Sequence, residues 1–313
     1  MQVFLISPRG FCAGVKRAVD IVEGAIEKYK TEIYVKHEIV HNDYVVNYFK
    51  NKGVKFISNI NDIPNNAIVI FSAHGISKEI ENKAIEKNLI IIDATCPLVK
   101  KVHRAAQKHE ENGKQIILIG HKGHPEVEGT MGRVNNKMFL IENAEDINNL
   151  EIKDSENLAY ITQTTLSIDE TIGIIATLKK KFPNIISQDK SDICYATQNR
   201  QDVLKSITPN IDLLIVLGSS KSSNSTRLKD IGENYKIKSY LINSISELDT
   251  SWLKNARNIG ITAGASSPEI LVQEIIKYLV DNYNASVKEY FGTIEDVEFH
   301  VPRDLRLKKS DLI

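Results

Sequence analysis

Residues 89–102 read LIIIDATCPLVKKV, and this stretch sets the architecture. A short, β-branched, nearly continuous apolar run is the pattern of a strand in a parallel sheet. A polar turn follows, then Cys96, then the start of a helix. The same order surrounds Cys12 in RGFCAGVKRAV and Cys194 in SDICYATQNRQDV. Outward from these, strand-like runs recur at VFLIS (3–7), IYVKH (33–37), AIVIFSA (67–73), QIILIG (115–120), LAYIT (158–162), DLLIVLG (212–218), SYLIN (239–243) and NIGITA (258–263). Apolar-periodic segments such as VKRAVDIVEGAIEKY (15–29) and IDETIGIIATLKKKF (168–182) lie between them. Strands alternating with helices predict an α/β protein with parallel sheets covered on both faces.

Each cysteine is followed by a helix, a strand and a polar loop: HEIVHN (37–42), GHKGHPEVEG (120–129) and GSSKSSNS (218–225). A further helix and strand lead to a second polar loop: SAHGIS (72–77), TQTTLS (162–167) and TAGASSP (262–268). Cys12 precedes His41 by 29 residues, Cys96 precedes His124 by 28, and Cys194 precedes Ser222 by 28. The next steps are 33 residues to His74, 40 to Thr164 and 44 to Ser266. The order and spacing predict three diverged α/β units, 1–95, 96–193 and 194–283, followed by a C-terminal tail, 284–313. The opening of the third unit is weak, because IISQD (185–189) is a poor strand. In open α/β sheets ligands bind beyond the carboxyl ends of the strands, where all of these loops fall. Packing around a pseudo-threefold axis would bring the three cysteine loops to one centre.

The totals narrow the function. Of 313 residues, 42% are hydrophobic and 26% charged, and 40 basic residues balance 40 acidic ones. Zero net charge gives no electrostatic footprint for nucleic acid or an anionic membrane. No run approaches the roughly 18–20 apolar residues that span a bilayer. MQVFLISPRG begins directly as a strand without the basic and apolar regions of a signal peptide. The expected location is cytoplasmic. Three cysteines, an odd count in a reducing compartment, argue against a disulfide framework. Three converging thiolates would repel one another unless a metal neutralised them. Structural zinc takes four ligands, commonly from Cys-x-x-Cys pairs, and no such pair occurs. Three thiolates leave a catalytic zinc with an open position, or a four-iron cluster with one iron lacking a protein ligand.

The segments PRGFCAGVKRAV, HEIVHN, FSAHGIS, DATCPLV, GHKGHPEVEGTMG, TQTTLS, DICYATQNRQ, SSNS and TAGASSPE resemble, in order from residue 8 to about 269, the 4-hydroxy-3-methylbut-2-enyl diphosphate reductase family. The resemblance implies a trefoil of three α/β units with small parallel sheets around a central [4Fe–4S] cluster. It implies that Cys12, Cys96 and Cys194 ligate the cluster, and that the remaining iron takes the substrate hydroxyl as a Lewis acid. The substrate carries an allylic hydroxyl and a diphosphate. Two electrons and two protons yield isopentenyl and dimethylallyl diphosphate.

Glu126 matches the family's proton donor. Loss of a hydroxyl as water needs an acid, and burial keeps a carboxyl protonated near neutral pH. Glu128, two residues on, is the rival, and chemistry alone does not separate the two. Thr164 resembles the relay between Glu126 and the hydroxyl. Its alternative role is a helix N-cap, but Ser167, with Glu170 three residues on, fits that cap better. His41, His74, Ser222, Ser223, Asn224 and Ser266 match the diphosphate contacts, and His124 matches a residue near both hydroxyl and phosphate. The remaining histidines, 37, 103, 109, 121 and 300, are expected to be structural.

SSKSSNST lacks the Gly-Lys-Ser/Thr ending of a Walker A loop, and no dinucleotide fingerprint occurs. Electrons are therefore expected from an external protein such as ferredoxin or flavodoxin. EDVEFHVP (295–302) alternates as a half-buried strand, and RDLRLKK (303–309) is basic. Together they read as a tail closing over the core. Two other classes share these features: a metal-dependent hydro-lyase, which needs no reductant, and a non-catalytic iron–sulfur sensor of a diphosphate, which has no use for a buried acid.

Overall fold

Residues 89–102 fold as strand, cysteine turn and helix. The structure, a computed structural model, describes residues 1–187 and 191–306. In chain order, β1 (Gln2–Ser7) and α1 (Ala13–Tyr29) flank Cys12; β2 (Ile33–Lys36), α2 (Asp43–Asn51), β3 (Lys55–Ile57), β4 (Ile68–Phe71), α3 (Lys78–Glu86) and β5 (Ile90–Asp93) follow. Then come α4 (Pro97–Glu111), β6 (Gln115–Ile119), α5 (Pro125–Met131), β7 (Phe139–Ile141), β8 (Leu158–Thr162) and α6 (Ile168–Lys181). After Cys194 the chain continues through α7 (Tyr195–Ile207), β9 (Leu213–Leu217), α8 (Ser223–Asn234), β10 (Lys238–Ile242), β11 (Asn258–Ala263), α9 (Glu269–Tyr283) and β12 (Ser286–Phe291).

These strands form three small sheets, ordered β10-β9-β11-β1-β12, β3-β2-β4-β5 and β7-β6-β8, and every strand pairing among the described residues is parallel. The chain divides into two compact units. One comprises Met1–Gly24, Val40–Lys52 and the residues from Tyr195 onward; the other comprises Ala25–Ile39 and Gly53–Cys194. The first unit holds the five-stranded sheet, and the second holds the other two.

Both faces of the five-stranded sheet are covered, as continuous apolar strands require. Along β9, Leu213, Ile215 and Leu217 join α9 residues Leu271, Ile275 and Leu279 in one core. Leu214 and Val216 point the other way, onto Leu204 and Ile207 of α7 and Leu228 and Ile231 of α8. In the second unit, Ile117 and Ile119 pack toward Ile174 and Leu178 of α6, whereas Ile116 and Leu118 face Val102 and Ala106 of α4 and Val127 of α5. β5 lies at a sheet edge, and its Ile90 is exposed, so the run that reads as buried is covered only in part.

The segments leading to Cys96 and Cys194 join sheets begun earlier in the chain, whereas β1, leading to Cys12, joins one completed by later strands. β5 pairs with β4 ahead of Cys96. Ile186 makes one parallel bridge to Ala159 ahead of Cys194. β1, ahead of Cys12, pairs with β11 from the far end of the chain. The weak IISQD run thus supplies a single bridge; its Gln188 and Asp189 lie outside the described residues.

The tail differs from its sequence reading. The last strand is Ser286–Phe291, paired with β1, while 295–302 carries no ladder. The segment is held to the first unit by polar contacts without strand pairing, and Val297 stays exposed: Glu295 reaches Arg200, and Arg17 Nε donates to His300 O at 3.0 Å. Leu305 is buried against Gly24, where a Cβ would fall 2.0 Å from the Leu305 carbonyl oxygen. Residues 307–309 of the basic segment lie outside the described residues.

Candidate active site

All three cysteines lie outside any disulfide and are half-buried, and each immediately precedes or caps a helix: α1, α4 or α7. Such a position favours the thiolate through the helix dipole and the free N–H groups of the first turn. Their backbones are held in one recurring way. Cys12 N–H donates to Ala265 O at 3.2 Å, Cys96 N–H to Ala73 O at 3.0 Å, and Cys194 N–H to Thr164 O at 3.0 Å. Each acceptor lies in a second polar loop, SAHGIS, TQTTLS or TAGASSP. The repeat read from spacing is therefore also a repeat of hydrogen bonds.

In the second unit, α5 places Glu126 one position inside its N-terminus, after Pro125. Glu126 is 3% exposed, while Glu128 is exposed on the same helix. The Thr164 amide donates to Glu126 Oε1 at 2.6 Å, and Thr164 Oγ1 donates to Oε2 at 2.9 Å. Burial pushes the Glu126 carboxyl up to about 7; the Thr164 bonds oppose this, and the Asp192 charge adds to it. The geometry thereby separates two acids that sequence chemistry left equal.

His124 caps α5. Its Nδ1 accepts the Glu126 amide N–H at 3.1 Å, which assigns the proton of the neutral ring to Nε2. The His74 ring meets the His124 ring edge-on, with centroids 5.8 Å apart, and its Nδ1 hydrogen-bonds Ser72 Oγ at 3.3 Å. Ser167 caps α6 by accepting the Glu170 N–H at 3.3 Å, so Thr164 has no capping duty.

Two contributors were missed. Asp192 accepts the Thr162 N–H at 3.1 Å, and its burial raises its own pKa. Buried Gln163 accepts the His121 amide at 3.0 Å and donates to Thr165 Oγ1 at 3.0 Å, tying the loops on either side of the Glu126–Thr164 pair. Their only sequence signal was a place inside motifs already marked, SDIC and TQTT.

In the first unit, Ser266 Oγ donates to His41 O at 3.0 Å, and Asn224 Oδ1 accepts the Ala265 N–H at 2.9 Å. Ser222 caps α8 by accepting the Ser225 N–H at 3.3 Å, and half-buried Ser223 opens that helix. Asn42 caps α2 and donates to Ser267 Oγ at 3.4 Å. The histidine loop, the serine loop and the TAGASSP loop thus interlock beside the amide of Cys12. Glu126, Thr164, His124, His74, Cys96 and Cys194 belong to the other unit.

Among the described residues, no three His, Cys, Asp or Glu side chains could hold a single metal ion. The donor set fits an iron–sulfur cluster better than a lone ion. Cluster thiolates bind different irons, whereas the ligands of one ion share a single centre, and cysteine thiolates are the usual donors to iron–sulfur clusters.

Three small parallel sheets, cysteine loops at helix starts and a buried, twice hydrogen-bonded carboxyl mark the chain as an α/β enzyme. The LytB protein family model matches residues 3–280. A 4-hydroxy-3-methylbut-2-enyl diphosphate reductase from Wolbachia pipientis subsp. Culex pipiens is 53% identical over 303 residues, covering 96% of this chain and 98% of its own. The Francisella tularensis subsp. tularensis enzyme of that name is 50% identical over 311 residues, covering 98% of each. The solved E-1-hydroxy-2-methyl-but-2-enyl-4-diphosphate reductase of Plasmodium falciparum superposes with a TM-score of 0.94 at 41% identity, covering 97% of this chain and 96% of its own. The chain belongs to the LytB family. Among the described residues, no helix is long and apolar enough to cross a membrane.

Proposed function

We propose that this protein reductively dehydroxylates 4-hydroxy-3-methylbut-2-enyl diphosphate to isopentenyl and dimethylallyl diphosphate in the cytoplasm. The observation that carries the reading is Glu126, buried, bonded twice by Thr164 and with its carboxyl pushed up to about 7 by burial. The resemblance of the chain to reductases over nearly its whole length supports the substrate.

Cys12, Cys96 and Cys194 would hold a [4Fe–4S] cluster. When bound, such a cluster supplies electrons and one iron without a protein ligand, a Lewis acid toward the leaving hydroxyl. Glu126 holds the proton that lets the hydroxyl depart as water, and Thr164 Oγ1, 2.9 Å from Glu126 Oε2, passes it on. His124, with its proton assigned to Nε2, presents a donor near the hydroxyl and the phosphate. His41, His74, Ser222, Ser223, Asn224 and Ser266 bind the diphosphate, with the N–H groups at the start of α8 contributing to the anion's charge balance. The two electrons come from an external carrier such as ferredoxin or flavodoxin.

Anaerobic turnover with a chemical reductant tests this. The expected result is two electrons consumed per product and no conversion without reductant. Conversion without reductant would mean a hydro-lyase, and binding without conversion a sensor.

A further inference from the structure

We propose that Arg200 is the positioning residue for Cys12, and that Glu295 of the C-terminal segment holds it there. The inference rests on Cys12 being a cluster ligand. Arg200 leads the fully buried side chains by volume, at 1% exposed. A guanidinium removed from water is costly unless its charge is balanced and its N–H groups are bonded. Nη1 donates to Glu295 Oε1 at 2.9 Å and to Ala196 O at 2.9 Å. Asn199 Nδ2 donates to the same Glu295 oxygen at 3.3 Å.

Nη2 is directed elsewhere: it donates to Gly10 O at 2.9 Å. Arg–carboxylate pairs are frequently bidentate, with both arms on the carboxylate. Here one arm serves the carboxylate, one serves the PRGFC loop, and Nε is buried with no hydrogen-bond partner among the described residues. The loop position is demanding. Gly10 sits at φ +66, and a Cβ there would lie 3.1 Å from Ser267 O. Its N–H donates to Ala263 O at 3.2 Å, so the residue is fixed through both its amide and its carbonyl.

Cys12 N–H is bonded two residues later, and Ala13 N–H donates to Tyr195 Oη at 3.4 Å. The backbone carrying the Cys12 thiolate is therefore fixed at Gly10, Cys12 and Ala13. Two of its four anchoring partners, Arg200 and Tyr195, come from α7, the helix that follows Cys194 in sequence. No step of the proposed reaction uses Arg200 or Glu295. Their effect is on where Cys12 Sγ points.

Arg200→Lys keeps the charge and loses the fork; Glu295→Gln keeps an acceptor and loses the charge. Both are compared with wild type and with Glu79→Gln, which breaks an exposed i,i+4 pair with Lys83 that makes no hydrogen bond to a cysteine loop. The measurements are iron content after anaerobic purification, the rate of iron release to a chelator, the EPR spectrum of the reduced protein, and Tm. Both variants are expected to bind iron but to release it about 10- to 100-fold faster, the usual cost of losing a partner behind a metal ligand. Their EPR signals should shift, and Glu79→Gln should match wild type. Should Arg200→Lys fail to fold, Glu295→Gln carries the test. Unchanged release and spectra, or faster release that only follows a lower Tm, would reduce the pair to a buried ion bridge and overturn the proposal. Iron-free wild-type protein would instead sink the cluster reading itself.

Discussion

Glu126→Gln is expected to lower kcat by about 10²- to 10⁴-fold, the range for loss of a positioned general acid, and to leave KM close to wild type. Gln keeps the side chain's shape and an acceptor for the Thr164 amide, but offers no acidic proton. In the wild type, kcat should fall as pH rises above about 7, where Glu126 loses its proton. The variant should lose that limb. Stability gives a second readout. Burial pushes the folded carboxyl up to about 7 against 4.5 for an unperturbed glutamate, so between these values the native state holds up to one more proton than the unfolded chain. The stability this confers is complete below 4.5 and is lost as pH rises through about 7. Unfolding free energy should decline across that window by up to about 1.4 kcal/mol per pH unit. Urea melts of the variant should be flatter there. A variant with wild-type kcat would remove Glu126 from the donor role.

Periodicity located the central strands because they are buried and β-branched: VFLIS, AIVIFSA, DLLIVLG and NIGITA each contain or overlap an observed strand. It passed over β3 and β7, which are only three residues long and at sheet edges, and β12, whose SVKEYF is mostly exposed. EDVEFHVP shows why alternation is ambiguous. Val297 and Phe299 alternate with charges, but the edge beside β1 is already taken by Ser286–Phe291, so no partner remains there. Strand partners at long range were equally silent in the sequence: nothing in VFLIS says that it will pair with NIGITA, more than 250 residues on.

The polar loops were legible because their spacing repeats. Individual roles inside them were not, because burial is a property of the folded chain. Glu126 and Glu128 differ by two residues on one helix, and only the turn of α5 puts one against Thr164 and the other in solvent. Asp192 and Gln163 act through the backbone amides of neighbouring loops, a contact no residue pattern announces.

Cys12→Ser, Cys96→Ser and Cys194→Ser are each expected to abolish turnover and lose most of the iron and acid-labile sulfide, from about four of each per chain in anaerobic wild type. A serine hydroxyl is a far weaker donor to iron than a thiolate, and at each position the backbone is already committed: the amides of residues 12, 96 and 194 donate to Ala265, Ala73 and Thr164. The loops cannot readily shift to offer another ligand, so one lost thiolate should not be replaced. Far-UV circular dichroism should stay at wild type, because the cysteines are half-buried and the three cores are formed by other residues. Equal loss from all three variants means a single shared cluster. Retention of full iron and sulfide by any one of them would remove that cysteine from the ligand set, and zinc in place of iron would overturn the redox reading.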